Sequence, residues 1–112
     1  MFQIVNKGGK MKENLLKIIK HYGVLPQLKY FQSEVFELNE AIICEETSEH
    51  NDEVNNYKSI KDIAEEIADV LNMVEQFMCY YDIDIKDVIE IKHQKINRQL
   101  ERIENEKDNN NV

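Results

Sequence analysis

Apolar residues recur along this chain every three or four positions, the spacing of one face of an α-helix. Leu15, Leu16, Ile18, Ile19 and Tyr22 give a first helix, starting near Met11, a wide apolar face, and Gly23 is placed to stop it. Pro26 stands where helix starts favour proline. Leu28, Phe31, Val35, Leu38 and Ile42 then mark a second helix of about five turns. Residues 47–58, TSEHNDEVNNYK, are polar, acidic and aperiodic, which predicts a mobile loop. Ile60, Ile63, Ile67, Leu71, Val74, Met78 and Tyr81 are the stripe of a third helix. Asp82-Ile83-Asp84 is a turn with Asp84 as N-cap, and Val88, Ile89, Ile96, Leu100 and Ile103 define a fourth helix. The segment KGGK at 7–10 breaks regular structure, so residues 1–10 read as a flexible arm and 105–112 as a fraying tail. The pattern therefore predicts an all-α, four-helix bundle-like domain over 11–104, with short connections and one longer loop.

Composition supports that reading. The chain has 112 residues, enough for one domain, and only three glycines and one proline. Scarcity of turn residues favours a few long helices over many short strands. A formal net charge of −8 argues against a general role on a nucleic acid polymer or an anionic membrane. No apolar run approaches the length of a membrane span, and MFQIVNKGGK lacks the apolar core of a signal peptide. Cys44 and Cys79 form no CxxC and suit free thiols in a reducing cytoplasm. His21, His50 and His93 are dispersed and form no zinc-binding pair.

The acids change the picture. Helical residues advance roughly 100° each, so Glu34 and Glu37 fall on one shoulder of the second stripe, together with Gln27, Tyr30 and Ala41. Glu66 and Asp69 fall on the matching shoulder of the third, near Asp62, Met73 and Tyr80. EVFEL at 34–38 and EIADV at 66–70 share one pattern: acid, β-branched apolar, any residue, acid, apolar. Packing the two stripes together lets both acidic shoulders line one cleft. Two unit charges about 4 Å apart repel by roughly 4 kcal/mol at an effective dielectric of 20, and a hard divalent cation removes that cost. Mg²⁺ prefers oxygen ligands and bridges carboxylates to phosphates, and Mn²⁺ can substitute. Singly, each pair is ordinary solvated surface. Two pairs at the same offset leave surface charge and a metal cage as the two readings.

The last helix is basic where the second is acidic. Residues 34–53 hold eight acids and no Lys or Arg, whereas Lys92, Lys95, Arg98 and Arg102 share their stretch with the single acid Glu101. Lys92, Lys95, Gln99 and Arg102 line one side of the fourth stripe, with Arg98 beside Lys95. Two readings fit: a phosphate clamp, or salt bridges to the acidic helices, the second being favoured by the residues alone.

Taken together, SEVFE at 33–37, EEIAD at 65–69, the approach HYGVLPQLKYFQSEVFELNEAI and the downstream KINR at 95–98 resemble the all-α nucleoside triphosphate pyrophosphatases of the MazG type. That family carries EExxE, a spacer and ExxD on two helices of a four-helix bundle. The resemblance spans roughly residues 11–104. It implies a Mg²⁺-dependent pyrophosphohydrolase that cleaves NTPs or dNTPs to monophosphate and pyrophosphate. It also implies Glu34, Glu37, Glu66 and Asp69 as metal ligands and catalytic residues, with Lys95 and Arg98 on the phosphates. Gln27, Tyr30, Asn72 and Tyr80 become candidates for contact with sugar or base. The chain departs from the pattern once. Ser33 stands where the family has its first glutamate, and helical geometry points Ser33 away from the other acids, toward Glu40. If that glutamate positions the attacking water, Glu65, Glu40 or the metal ion itself must take over the role. A unit this small is expected to complete its core as a homodimer or homotetramer. The alternatives are a non-catalytic acidic helical interaction module, and a base-specific relative acting on dUTP, dCTP or phosphoribosyl-ATP.

Overall fold

In the computed structural model, residues 8–47 and 53–110 are described, with the side chains of 9–47 and 59–110. They form four helices and no strand: α1 (Gly8–Tyr22), α2 (Val24–Thr47), α3 (Glu53–Tyr80) and α4 (Ile85–Asn110). The all-α reading of the sequence therefore holds. No helix among the described residues is long and apolar enough to cross a membrane.

The boundaries differ from the sequence reading in an instructive way. Helix α1 begins at Gly8, inside the segment expected to be an unstructured arm. Glycine weakens a helix interior, but in a first turn the N–H groups have no intrahelical partner, so little is lost there. Residues 1–7 of that arm lie outside the described residues. The expected loop at 47–58 is shorter too, because Thr47 still belongs to α2 and Glu53–Lys58 already belong to α3. Polar helical turns have no apolar periodicity by which to be recognised. The rest of that stretch, 48–52, lies outside the described residues. Helix α4 extends through Asn110, into the segment expected to fray from 105, with Lys107 Nζ 3.8 Å from Glu104 one turn back.

The junctions are set by single residues. Gly23 has φ of 93°, a left-handed conformation that favours glycine. A Cβ there would meet the Pro26 ring only at an ordinary 3.5 Å, so the backbone angle, not space, requires glycine. The Gly23 N–H donates to the Ile19 carbonyl at 2.8 Å and closes α1. Its own carbonyl accepts from the Gln27 N–H at 3.1 Å and opens α2. Pro26 lies in the first turn of α2, where its missing N–H costs nothing. After α3, Asp82 adopts φ of 52°, and the Asp84 carboxylate accepts the Lys86 N–H at 2.9 Å as the expected N-cap.

Two compact units result, one ending at Tyr81 and one beginning at Asp82. The second is α4 with its cap, and none of the α4 residues is buried. In the first unit α3 packs mainly on α2, and α1 lies against both. Leu15, Ile19 and Met73 are its buried apolar side chains, and Phe31 meets Phe77 edge to face at 5.8 Å.

The rotation of α2 and α3 is the main correction to the sequence reading. Leu28, Val35 and Ile42, expected to face the core, are 41%, 42% and 41% exposed, and Ile60, Ile67 and Val74 are likewise exposed. The inward face carries Gln27, Glu34 and Gln76, all buried, with Phe31, Leu38 and Ala41 half-buried. The apolar arc of α2 is wide, and only its edge beside the acids packs inside the chain.

Candidate active site

Helices α2 and α3 run antiparallel, and their facing residues pair in a constant register. Gln27 meets Gln76, and the carboxylates of Glu34 and Glu37 meet those of Asp69 and Glu66. Each acid pair is separated by three residues on one helix, which brings both of its members to the same face. The antiparallel packing then sets the two pairs against each other.

One carboxylate oxygen from each of Glu34, Glu37 and Glu66 falls within a group no more than 4.8 Å across. Glu34 is buried, Glu66 half-buried and Glu37 exposed, so the cluster opens to solvent on one side. Asp69, also exposed, completes the quartet as a direct neighbour of Glu34. The Glu34 carboxyl is held above the usual carboxylate range, first by burial and then by the charges of Glu37 and Asp69, against the opposing effect of the Tyr30 hydroxyl bonded to it. Donation to that carboxylate in turn raises the Tyr30 hydroxyl. Glu66 is pushed up by burial, then by Glu37, Asp69 and Glu34.

Glu34 Oε2 and Glu66 Oε2 are buried with no hydrogen-bond partner. Buried polar atoms are normally satisfied, and an orphaned carboxylate oxygen is costly. Two such oxygens, in a cluster whose neighbouring charges are themselves carboxylates, would be satisfied by a divalent cation. An all-oxygen donor set suits a hard ion such as Mg²⁺. Of the two readings left open by the sequence, these orphaned oxygens favour the cage.

Two of the acids, Glu34 and Asp69, line a cleft of about 530 Å³ together with Gln27, Tyr30, Asn72 and Gln76 among others. Three of the residues proposed for sugar or base contact, Gln27, Tyr30 and Asn72, are therefore in one place. Tyr80 does not line the cleft; it stacks edge to face on Tyr81 at 5.0 Å in the last turn of α3. Gln76 was missed by the sequence reading, which searched for acids, although it lies two turns beyond Asp69 on the same face. Ser33 is exposed, with its hydroxyl 3.4 Å from the Lys29 carbonyl; it points away from Glu34 but lies one turn before Glu37, and both line an open pocket on the outer side of α2. Lys95 and Arg98 are exposed on α4.

The same span of chain carries a family match. Residues 27–103 of the 112 match the MazG nucleotide pyrophosphohydrolase domain, and the chain belongs to that family. No curated protein and no solved structure matches it significantly. The matched region begins at Gln27, takes in the four acids of α2 and α3, and continues through the basic stretch of α4.

Proposed function

We propose that this nucleotide pyrophosphohydrolase cleaves nucleoside or deoxynucleoside triphosphates to monophosphate and pyrophosphate with the help of Mg²⁺. The observation that carries the reading is the pair of orphaned, buried carboxylate oxygens on Glu34 and Glu66 within the acid quartet. Glu34, Glu37, Glu66 and Asp69 would hold the ion, which when bound supplies Lewis acidity at the phosphate oxygens and lowers the pKa of water. Mn²⁺ would serve in the same donor set.

The reaction is attack of water on the α-phosphorus. The bond from that phosphorus to the oxygen bridging the β-phosphate breaks, and pyrophosphate leaves with that oxygen. The chain's own contribution is positional. Tyr30 donates to Glu34 and fixes one carboxylate of the quartet. Lys95 and Arg98 are proposed to neutralise the charge that develops on the leaving group. Ser33 offers no base, so the proton of the attacking water passes to a carboxylate such as Glu65 or Glu40.

The exposed outer stripe supports self-association. Leu28, Val35 and Ile42 on α2, with Ile60 and Ile67 on α3, leave apolar surface that a second copy of the chain would cover in a homodimer or homotetramer. Cys44 and Cys79 are not joined in a disulfide, which suits a reducing cytoplasm. The experiment is a panel of NTPs and dNTPs incubated with Mg²⁺, with products identified. Monophosphate plus pyrophosphate is expected; diphosphate plus phosphate, or no turnover of any member, overturns the reading.

A further inference from the structure

At the end of the cleft away from the acids, two buried carboxamides meet. Gln27 Nε2 donates to Gln76 Oε1 at 2.8 Å, and the two residues are 8% and 4% exposed. The Gln76 amide nitrogen also lies 3.9 Å from Met73 Sδ, a weak acceptor. One bond between two carboxamides leaves one carbonyl oxygen and one whole amide NH₂ group outside that bond. That holds whichever of the two amides is the donor, because rotating both exchanges their roles without changing the total. An amide N–H answered only by a thioether is incompletely satisfied, and burial makes this costly.

The register fixes where this pair sits. Gln27 precedes Glu34 by seven residues and Gln76 follows Asp69 by seven, each a displacement of about 10 Å along its helix on nearly the same face. Because the helices are antiparallel, the two displacements point the same way. The carboxamides therefore lie two turns from the acids at one end of one cleft, with Tyr30 and Asn72 between. That separation is comparable with the reach of a nucleotide from its α-phosphate to the far edge of its base.

We propose that Gln27 and Gln76 form the base-reading end of the cleft, holding the hydrogen-bonding edge of the nucleobase through their remaining acceptor and donor. Every nucleobase presents a donor beside an acceptor on that edge. The concerted rotation of both amides matches the keto pattern of uracil and the amino pattern of cytosine alike. The pair thus binds bases as a class with little preference between those two, and Asn72 and Tyr30 are left to meet the sugar. This inference rests on the nucleotide reading of the acid end, and it adds Gln76 as a base-contacting residue.

The test is calorimetric binding, without metal, of CMP, UMP and ribose 5-phosphate to the full chain and to two variants, Gln76→Glu and Gln76→Leu. In the wild-type chain both nucleotides should bind about tenfold or more tightly than ribose 5-phosphate, with CMP and UMP similar, as hydrogen bonds to a buried reader require. Gln76→Glu retains the bond from Gln27 and removes the donor. It should shift the CMP-to-UMP affinity ratio about tenfold toward CMP, whose exocyclic amine suits an acceptor-only reader. Gln76→Leu should lower both affinities toward that of ribose 5-phosphate, while binding of ribose 5-phosphate itself stays unchanged in either variant. Two results overturn the inference: a base that adds nothing over ribose 5-phosphate in the wild-type chain, or a Gln76→Glu variant, folded by circular dichroism, whose CMP-to-UMP ratio is unmoved. Hydrolysis is read separately on the triphosphate panel, so a chain that binds bases as described but cleaves nothing removes the catalytic reading and leaves this one standing.

Discussion

Helices α2 and α3 have two faces that each depart from the usual arrangement. The face turned inward carries Gln27, Glu34 and Gln76, all buried, and the half-buried Glu66. The face turned outward carries Leu28, Val35, Ile42, Ile60 and Ile67, all exposed. Charged residues are seldom buried, and apolar side chains are the ones that gain from burial. On the proposed function, each face is completed from outside the chain. The inner face lacks positive charge, and the outer face lacks a cover. The two deficits differ in kind, and each can be tested separately.

The largest effect is expected on the inner face. Glu37→Gln and Asp69→Asn each remove one charge of the quartet while keeping its size, and each should lower turnover by about 100-fold or more, the scale on which electrostatic stabilisation acts. Circular dichroism should show the helices intact. Full activity in both variants would remove the quartet from the chemistry.

On the outer face, Val35→Lys combined with Ile67→Lys places like charges on the exposed stripe. Sedimentation should then show the mass falling to that of one chain, with melting temperature reduced. Because the stripe is exposed in the single chain, an unassociated protein should tolerate these changes within about 0.5 kcal/mol. An unchanged mass and melting temperature would show that the stripe needs no cover.

A smaller effect separates the two faces by pH. Glu34 and Glu66 are raised above the ordinary carboxylate value of 4.5. Folded protein therefore holds their protons more tightly than unfolded protein, and the stability this gives is complete below pH 4.5 and lost as pH rises through the raised folded values. Without metal, melting temperature should fall as pH is raised from there toward neutrality, and Glu34→Gln should flatten the fall. Mg²⁺ should restore stability most where the carboxylates are ionised, by about 2.7 kcal/mol at a hundredfold excess over its dissociation constant. A melting profile indifferent to Mg²⁺ at neutral pH removes the cation from the inner face.

The smallest effect is expected at Ser33, an exposed position one turn before Glu37. Its hydroxyl faces the Lys29 carbonyl and its side chain is exposed. Ser33→Glu should leave the stabilisation by Mg²⁺ within about 0.5 kcal/mol of wild type, as surface substitutions do. A larger change would place that position within reach of the quartet.

The helices themselves were legible in sequence, because periodicity, Gly23 and the Asp84 cap are local signals. So were the acids. EVFEL and EIADV repeat one spacing, and a three-residue spacing puts both carboxylates of each pair on one face whatever the rest of the chain does. Where each pair faces was not legible. The apolar arc of α2 offers two edges, Leu28–Val35–Ile42 and Phe31–Leu38, and a helical wheel cannot say which edge meets a neighbour. Gln76 was hidden for a related reason: a glutamine following Glu75 looks like surface until Gln27 is found 2.8 Å away.

Sequence alone therefore determined the elements and the chemical type of the site, four carboxylates at helical spacing, because both depend on residues within a few turns of one another. Tertiary structure alone decided the rest. It turned the acid edge inward, left two carboxylate oxygens buried without partners, and set Gln27 against Gln76 across 49 residues of chain. Those outcomes depend on the antiparallel register of α2 on α3, a long-range choice that no local pattern encodes.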